Sequence, residues 1–376
     1  MKYCSNCLQP DTRPNTFFQN NICPACQYNT ETQNINWEAR FEILREIANK
    51  ISQVNEHRNN YDCIIGVSGG KDSTRQALFV RDKLKLNPLL VCLSYPPNQV
   101  TERGVNNISN LISLGFDLEV VSPAAQTWQK LKKKSFDIFV NSFRSTELAL
   151  FASVPQVAIR KNISTIFWGE NPALQVGDMK ALGRTGYDGN YVRKANTLSS
   201  GHDWMLEKGF QINKILNYIY PSKKEFEKNK LNIIYLGWFL GNWSEIENAK
   251  FSLAQGLEMR KDFVEKTADL YGVTALDEDF TPINQFIKYT KFGFGRVTDY
   301  VNEDIRNGRM TREQGIKIIE KYDSSIDKIY LKIYCDYLGI TVSEFWKKIF
   351  KNTNKEIFKI KNKKIVPKFK VGQGLK

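Results

Sequence analysis

Two short stretches of this chain combine residue types at spacings that can do chemistry. The first is Ser68-Gly69-Gly70-Lys71-Asp72-Ser73, placed between an apolar run and a helical pattern. Adjacent glycines let the backbone turn tightly and approach an anion with no side chain in the way. The N–H groups of the loop and of the opening helical turn then point at that anion, and the helix dipole favours negative charge there. Ser68 and Ser73 read as hydroxyl donors to a polyphosphate, with Gly69 and Gly70 as its backbone cradle. A carboxylate beside a polyphosphate needs a cation, so Asp72 is the expected Mg²⁺ contact. Lys71 fits a phosphate contact and a solvent-facing position equally well. This is not a Walker A loop, because Ile65 stands at its first glycine and Asp72 at its Ser or Thr.

The second stretch is Cys4-x-x-Cys7, a fifteen-residue interval, and Cys23-x-x-Cys26. Two CxxC turns offer four thiolates to one tetrahedral Zn²⁺, and metal binding replaces the core that residues 1–30 are too polar to form. Four thiolates leave no open position for a substrate, so this zinc ribbon reads as structural. Cys63, Cys92 and Cys335 stand alone, and isolated cysteines inside apolar runs are ordinarily inert packing.

The elements that must position these groups follow from hydrophobic periodicity. Residues 31–60 carry Trp37, Phe41, Leu44, Ile47 and Ile51 at helical spacing, an amphipathic connecting helix. Over residues 61–248 the runs 63–67, 89–93, 118–121, 164–168 and 233–236 read as buried parallel strands, with helices near 72–85, 101–114 and 145–161. The expected fold is α/β, a doubly wound parallel sheet, with adenine against the end of the second strand at Leu93 and Ser94. Residues 249–345 read as helical, including 259–271 and a capped start at Thr311.

The loop resembles the S-G-G-x-D-S signature of PP-loop ATP pyrophosphatases, of the adenine nucleotide α-hydrolase-like fold. That resemblance implies a loop holding the β,γ-pyrophosphate while an oxygen attacks the α-phosphate. Three further motifs narrow it: Cys4-x-x-Cys7-x-x-Pro10-Asp11-Thr12-x-Pro14, Trp168-Gly169-Glu170-Asn171-Pro172, and Lys291-Phe292-Gly293-Phe294-Gly295-Arg296-x-Thr298-Asp299. Together, over residues 1 to about 325, they resemble the N-acetyl sugar amidotransferases. The resemblance implies adenylation of the acetamido oxygen of an N-acetylated sugar acid, a surface polysaccharide or flagellar glycan precursor, and its replacement by ammonia. Asp72, Lys71, Glu170 and Asn171 are then the candidate catalytic residues, Gly169 joins the nucleotide contacts, and Lys291, Arg296 and Asp299 are candidates for the sugar acid. Glu170 and Asn171 also suit a turn and helix cap, and Arg296 and Asp299 an ion pair.

The chain has only His57 and His202, too few partners for a glutaminase triad beside any leftover cysteine, and Lys2 stands where an N-terminal nucleophile would need Cys. By resemblance, ammonia is expected from a separate glutaminase working with a cyclase-like barrel subunit. A tRNA thiolase with a zinc ribbon competes, but thiolation needs a sulfur-carrying cysteine near the loop.

The formal charge of +14 is concentrated in residues 346–376, where eleven lysines face only Glu356. A solvated basic tail or helix end, an RNA contact, a membrane surface and an acidic partner all remain open there. No run approaches the roughly 20 apolar residues of a membrane span, nor the core of a signal peptide, so the cytoplasm is the expected compartment.

Overall fold

The computed structural model describes residues 1–55, 60–170, 185–194 and 196–375. Five parallel strands, β1 (Cys63–Val67), β2 (Pro88–Leu93), β3 (Leu118–Val121), β4 (Thr165–Trp168) and β5 (Asn232–Tyr235), form one sheet in the order β3-β2-β1-β4-β5. The strands lie where the apolar runs place them. Their alternation sorts side chains between two cores: Ile64, Val91, Ile166 and Ile233 face one way, and Cys63, Ile65, Leu90, Phe167 and Ile234 the other. On the first face pack α5 (Ala125–Phe139) and α6 (Phe143–Lys161), through Trp128, Leu131, Leu148 and Val157. On the second pack α2 (Trp37–Asn55), α3 (Lys71–Asp82) and α4 (Glu102–Ser113), through Leu44, Ala77, Leu78 and Leu111. The sheet is doubly wound, and the strand order reverses between β1 and β4, where such sheets open a crevice at their carboxyl edge.

Beyond the sheet run the helices Glu245–Leu253, Thr281–Phe292, Arg296–Arg306, Arg312–Tyr322, Lys328–Leu338 and Val342–Asn352. Thr311 caps its helix with a reciprocal Gln314 contact, as expected. The helix expected over 259–271 shrinks to the single turn Val264–Thr267. Asp269 accepts the backbone N–H groups of Tyr271, Gly272 and Thr274, and these local bonds outcompete a helical ladder.

The lysine-rich residues 346–376 are folded. They complete the helix Val342–Asn352 and form two antiparallel pairs, β6 (Phe358–Lys361) with β7 (Lys364–Pro367), and β8 (Phe369–Lys370) with β9 (Gly374–Leu375). Phe358, Phe369 and Val371 are buried with Leu8, Val297 and Val301 in a third core, while the lysines between them point outward. The boundary expected at residue 346 therefore falls inside a helix. Among the described residues no helix is long and apolar enough to cross a membrane.

Candidate functional site

The loop after β1 lies at the crevice where the strand order reverses, beside a cavity of about 270 Å³. Its walls come from five places: residues 66–68 and 70–73 with Gln76, from β1, the loop and α3; Val91 and Leu93 of β2; Leu150, Ser153 and Val154 of α6; Trp168, Gly169 and Glu170 at the end of β4; and residues 273–276 with Arg296. Ser68, Gly70, Lys71, Asp72, Ser73, Leu93, Gly169, Glu170 and Arg296 thus meet at one cavity. Gly69 does not face it. Its φ of +74° makes the turn, and a Cβ there would lie 2.9 Å from Asn107 of α4. Ser94 turns aside and donates to its neighbour's carbonyl, Tyr95 O. Asn171 lies outside the described residues.

Lys71 is neither solvent-facing nor free. It is 4% exposed and ion-pairs with Asp72 at 2.8 Å and Glu245 at 2.6 Å. Burial disfavours its charge, but the two carboxylates outweigh that and hold its pKa above the ordinary lysine value. Asp72, open to the cavity, also accepts from Asn248 Nδ2 at 2.6 Å; burial opposes its charge, and Lys71 keeps its pKa low. Ser252 Oγ donates to Lys71 O, and Arg75 donates to Asn248 Oδ1 and Asn242 O. Glu245, Asn248 and Ser252 all lie on the helix Glu245–Leu253, packed along α3. Sequence reasoning missed them, because no local pattern marks a carboxylate that reaches a lysine 174 positions away, from Glu245 back to Lys71.

Glu170 opens to the cavity at the end of β4. Although Glu170 keeps an exposed surface, the protein atoms crowded around its carboxyl, and then the Asp72 charge, push it up to about 7, against a hydrogen bond from Trp168. That value suits a group that gives and takes a proton at neutral pH.

Arg296 opens the helix Arg296–Arg306, and its place there depends on two glycines. Gly293 ends the preceding helix at φ +77°, and Gly295 leaves room for buried Asp323, which accepts from the N–H groups of Gly295 and Thr298. Arg296 reaches Glu245 at 2.9 Å and lies over the Tyr300 ring. Glu245 therefore bridges Lys71 and Arg296.

The other two candidates for the sugar acid do not line this cavity. Lys291 Nζ donates to Phe139 O and Val140 O, holding the end of α5. Asp299 pairs with Arg13 and, at 2.7 Å, with Lys288, both cations also lying over the Phe294 ring. Despite its burial these cations hold the Asp299 carboxyl well below the usual range. Arg296 and Asp299 therefore serve different partners.

The four ribbon cysteines are buried, with their sulfurs within 4.8 Å of one another. A tetrahedral Zn²⁺ about 2.3 Å from each sulfur sets sulfurs roughly 3.8 Å apart, and Cys7 Sγ lies 3.7 Å from Cys23 Sγ. The cluster fits a metal. Arg312 donates to Cys4 O and Cys7 O, and burial of Arg306 is outweighed by the nearby thiols of Cys7, Cys26 and Cys23. His202 precedes the short helix Asp203–Glu207 without capping it, and His57 lies outside the described residues.

Residues 262–374 match the family described as LPS biosynthesis protein WbpG-like, C-terminal domain. The similarity is confined to this C-terminal third of the chain. This WbpG-like segment contains the 291–299 motif of the sequence resemblance and runs on through the lysine-rich residues that the resemblance left out. A search of curated proteins finds no match. Solved structures similar to this chain include an NH3-dependent NAD synthetase from Campylobacter jejuni, at 14% identity and TM-score 0.29, over 61% of this chain and 100% of that one. They also include the U34-tRNA thiolase NcsA from Methanococcus maripaludis with its [4Fe-4S] cluster, at 14% identity and TM-score 0.31, over 86% of this chain and 87% of that one. Nothing below rests on these two overlays. The WbpG-like segment supplies Arg296 and residues 273–276 to the cavity wall.

Proposed function

We propose that the protein is an ATP-dependent amidotransferase acting on an N-acetylated sugar acid. The observation that carries this reading is the convergence of the phosphate loop, Glu170 and a WbpG-like wall on one cavity. Ser68, Gly70 and Ser73 would hold the pyrophosphate of ATP. Asp72 would hold Mg²⁺, which supplies charge neutralisation for the pyrophosphate; one carboxylate beside phosphate oxygens is an ordinary Mg²⁺ donor set.

An acetamide is a poor electrophile, and transfer of AMP to its oxygen overcomes this. The amide oxygen forms a bond to the α-phosphorus while the bond to pyrophosphate breaks, and the N–H proton becomes acidic. Glu170, poised near 7, is placed to take that proton. Ammonia then attacks the imidate carbon and AMP leaves, so nitrogen replaces oxygen and an acetamidino sugar results. Arg296 offers a cation to the carboxylate of the sugar acid once Glu245 releases it. Pre-placed charges of this kind are usually the largest contribution to such a rate.

Ammonia comes from a separate glutaminase with a cyclase-like barrel subunit in this reading, which the scarcity of histidine supports. Among the described residues no cysteine lines the cavity, since Cys63 and Cys92 are buried in strands and Cys335 in a distant helix. That disfavours thiolation.

Incubation of the purified protein with MgATP, ammonium chloride and a panel of N-acetylated sugar acids should release AMP and pyrophosphate. The product should change in mass by the difference between NH and O. AMP release from no member of the panel would count against the reading.

A further inference from the structure

The cavity contains a polar group that neither the phosphate cradle nor the proton transfer uses. Gln76 is 2% exposed, yet it lines the cavity, and among the described residues its Nε2 has no hydrogen-bond partner. An amide donor kept from water and left unpaired costs free energy, which an apolar side chain of similar size would avoid. Gln76 follows Asp72 by four residues and Ser73 by three, so it shares their face of α3, about 5 Å further along the helix. On its far side a Cβ at Gly169 would come within 2.8 Å of Gln76 Oε1 and 3.2 Å of Trp243. The absence of that carbon at the end of β4 leaves the amide its place beside Glu170.

The geometry points to Gln76 as a donor to a substrate oxygen at the reacting centre, either a phosphoryl oxygen of the nucleotide or the carbonyl oxygen of the acceptor. A neutral amide suits this position. It donates without adding charge beside Lys71 and Arg296, and it forms no ion pair with Glu170 that would hold it back. The assignment rests on the adenylating function proposed above.

Two variants test it. Gln76→Leu removes the donor at similar volume, and Gly169→Ala crowds the amide while leaving it chemically intact. Calorimetric titration with MgATP and initial rates of AMP release against an N-acetylated sugar acid separate the two oxygens. A phosphoryl contact predicts MgATP affinity about tenfold to a hundredfold weaker in Gln76→Leu. A carbonyl contact predicts a similar loss in acceptor kcat/KM with MgATP affinity unchanged. In both cases Gly169→Ala shares the loss, and ligand-free Gln76→Leu unfolds at or above the wild-type midpoint, because its unpaired amide is gone. Affinity and rate both within about twofold of wild type would overturn the assignment and leave the adenylating function standing. So would a loss that appears only with a lowered midpoint and is absent from Gly169→Ala. A wild-type protein that binds no MgATP overturns the adenylating function, and the assignment with it.

Discussion

Glu245 and Asp299 each hold two cations, in settings that differ. Glu245 joins Lys71 to Arg296 at the rim of the cavity, where Asp72 leaves one side of the cluster open. Asp299 joins Arg13 to Lys288 around the Phe294 ring and fastens the cysteine ribbon to the C-terminal helices. Arg296 and Asp299 are three residues apart on one helix. In the proposed function a ligand exchanges with the first cluster, while the second holds the fold. One contiguous stretch of sequence would then carry a binding device and a fastening device.

The comparison breaks most visibly on the fastening side. Removing metal with a strong chelator, or replacing Cys7 by Ser, should cost several kcal/mol of stability and lower the thermal midpoint sharply, because the ribbon has little other core. An unchanged midpoint after measured metal release would sink that claim. Asp299→Asn should cost about 3 kcal/mol in urea unfolding, since it leaves two partly buried cations facing each other. The folded protein should nonetheless bind MgATP within about twofold of wild type.

Glu245→Gln should show the converse, about 1 kcal/mol of stability but roughly tenfold in MgATP affinity, as Lys71 and Arg296 lose their shared anchor. Equal stability losses in Glu245→Gln and Asp299→Asn would erase the distinction. The finest test is a titration. The Glu170 carboxyl of the ligand-free protein should titrate near 7, and Asp72→Asn should move it down by removing a neighbouring negative charge. AMP release should correspondingly rise with pH as Glu170 loses its proton. Carboxyl NMR showing an upward shift in Asp72→Asn would contradict the assigned cause.

Local physics made much of this legible. Short apolar runs placed all five strands of the sheet within about one residue, and the glycine and hydroxyl pattern of Ser68 to Ser73 marked the turn that the structure puts at the cavity. What failed was non-local. Lysine density in the last thirty or so residues drew attention to charge and left the reading open, although Phe358, Phe369 and Val371 were spaced to bury themselves between the lysines. Lys291 looked like an anion contact and instead satisfies two carbonyls at the end of α5. Glu245 and Gln76 matter only because the fold brings them to the loop, and neither belongs to a pattern of its own.

The packing of Leu8 against Phe369 and Val371 has a consequence for synthesis. The ribbon is synthesised some 360 residues before its docking surface, from Leu8 to Phe369. At about 5–20 residues per second the wait lasts tens of seconds. Metal capture during that interval would keep the nascent segment folded and its four cysteines shielded from oxidation.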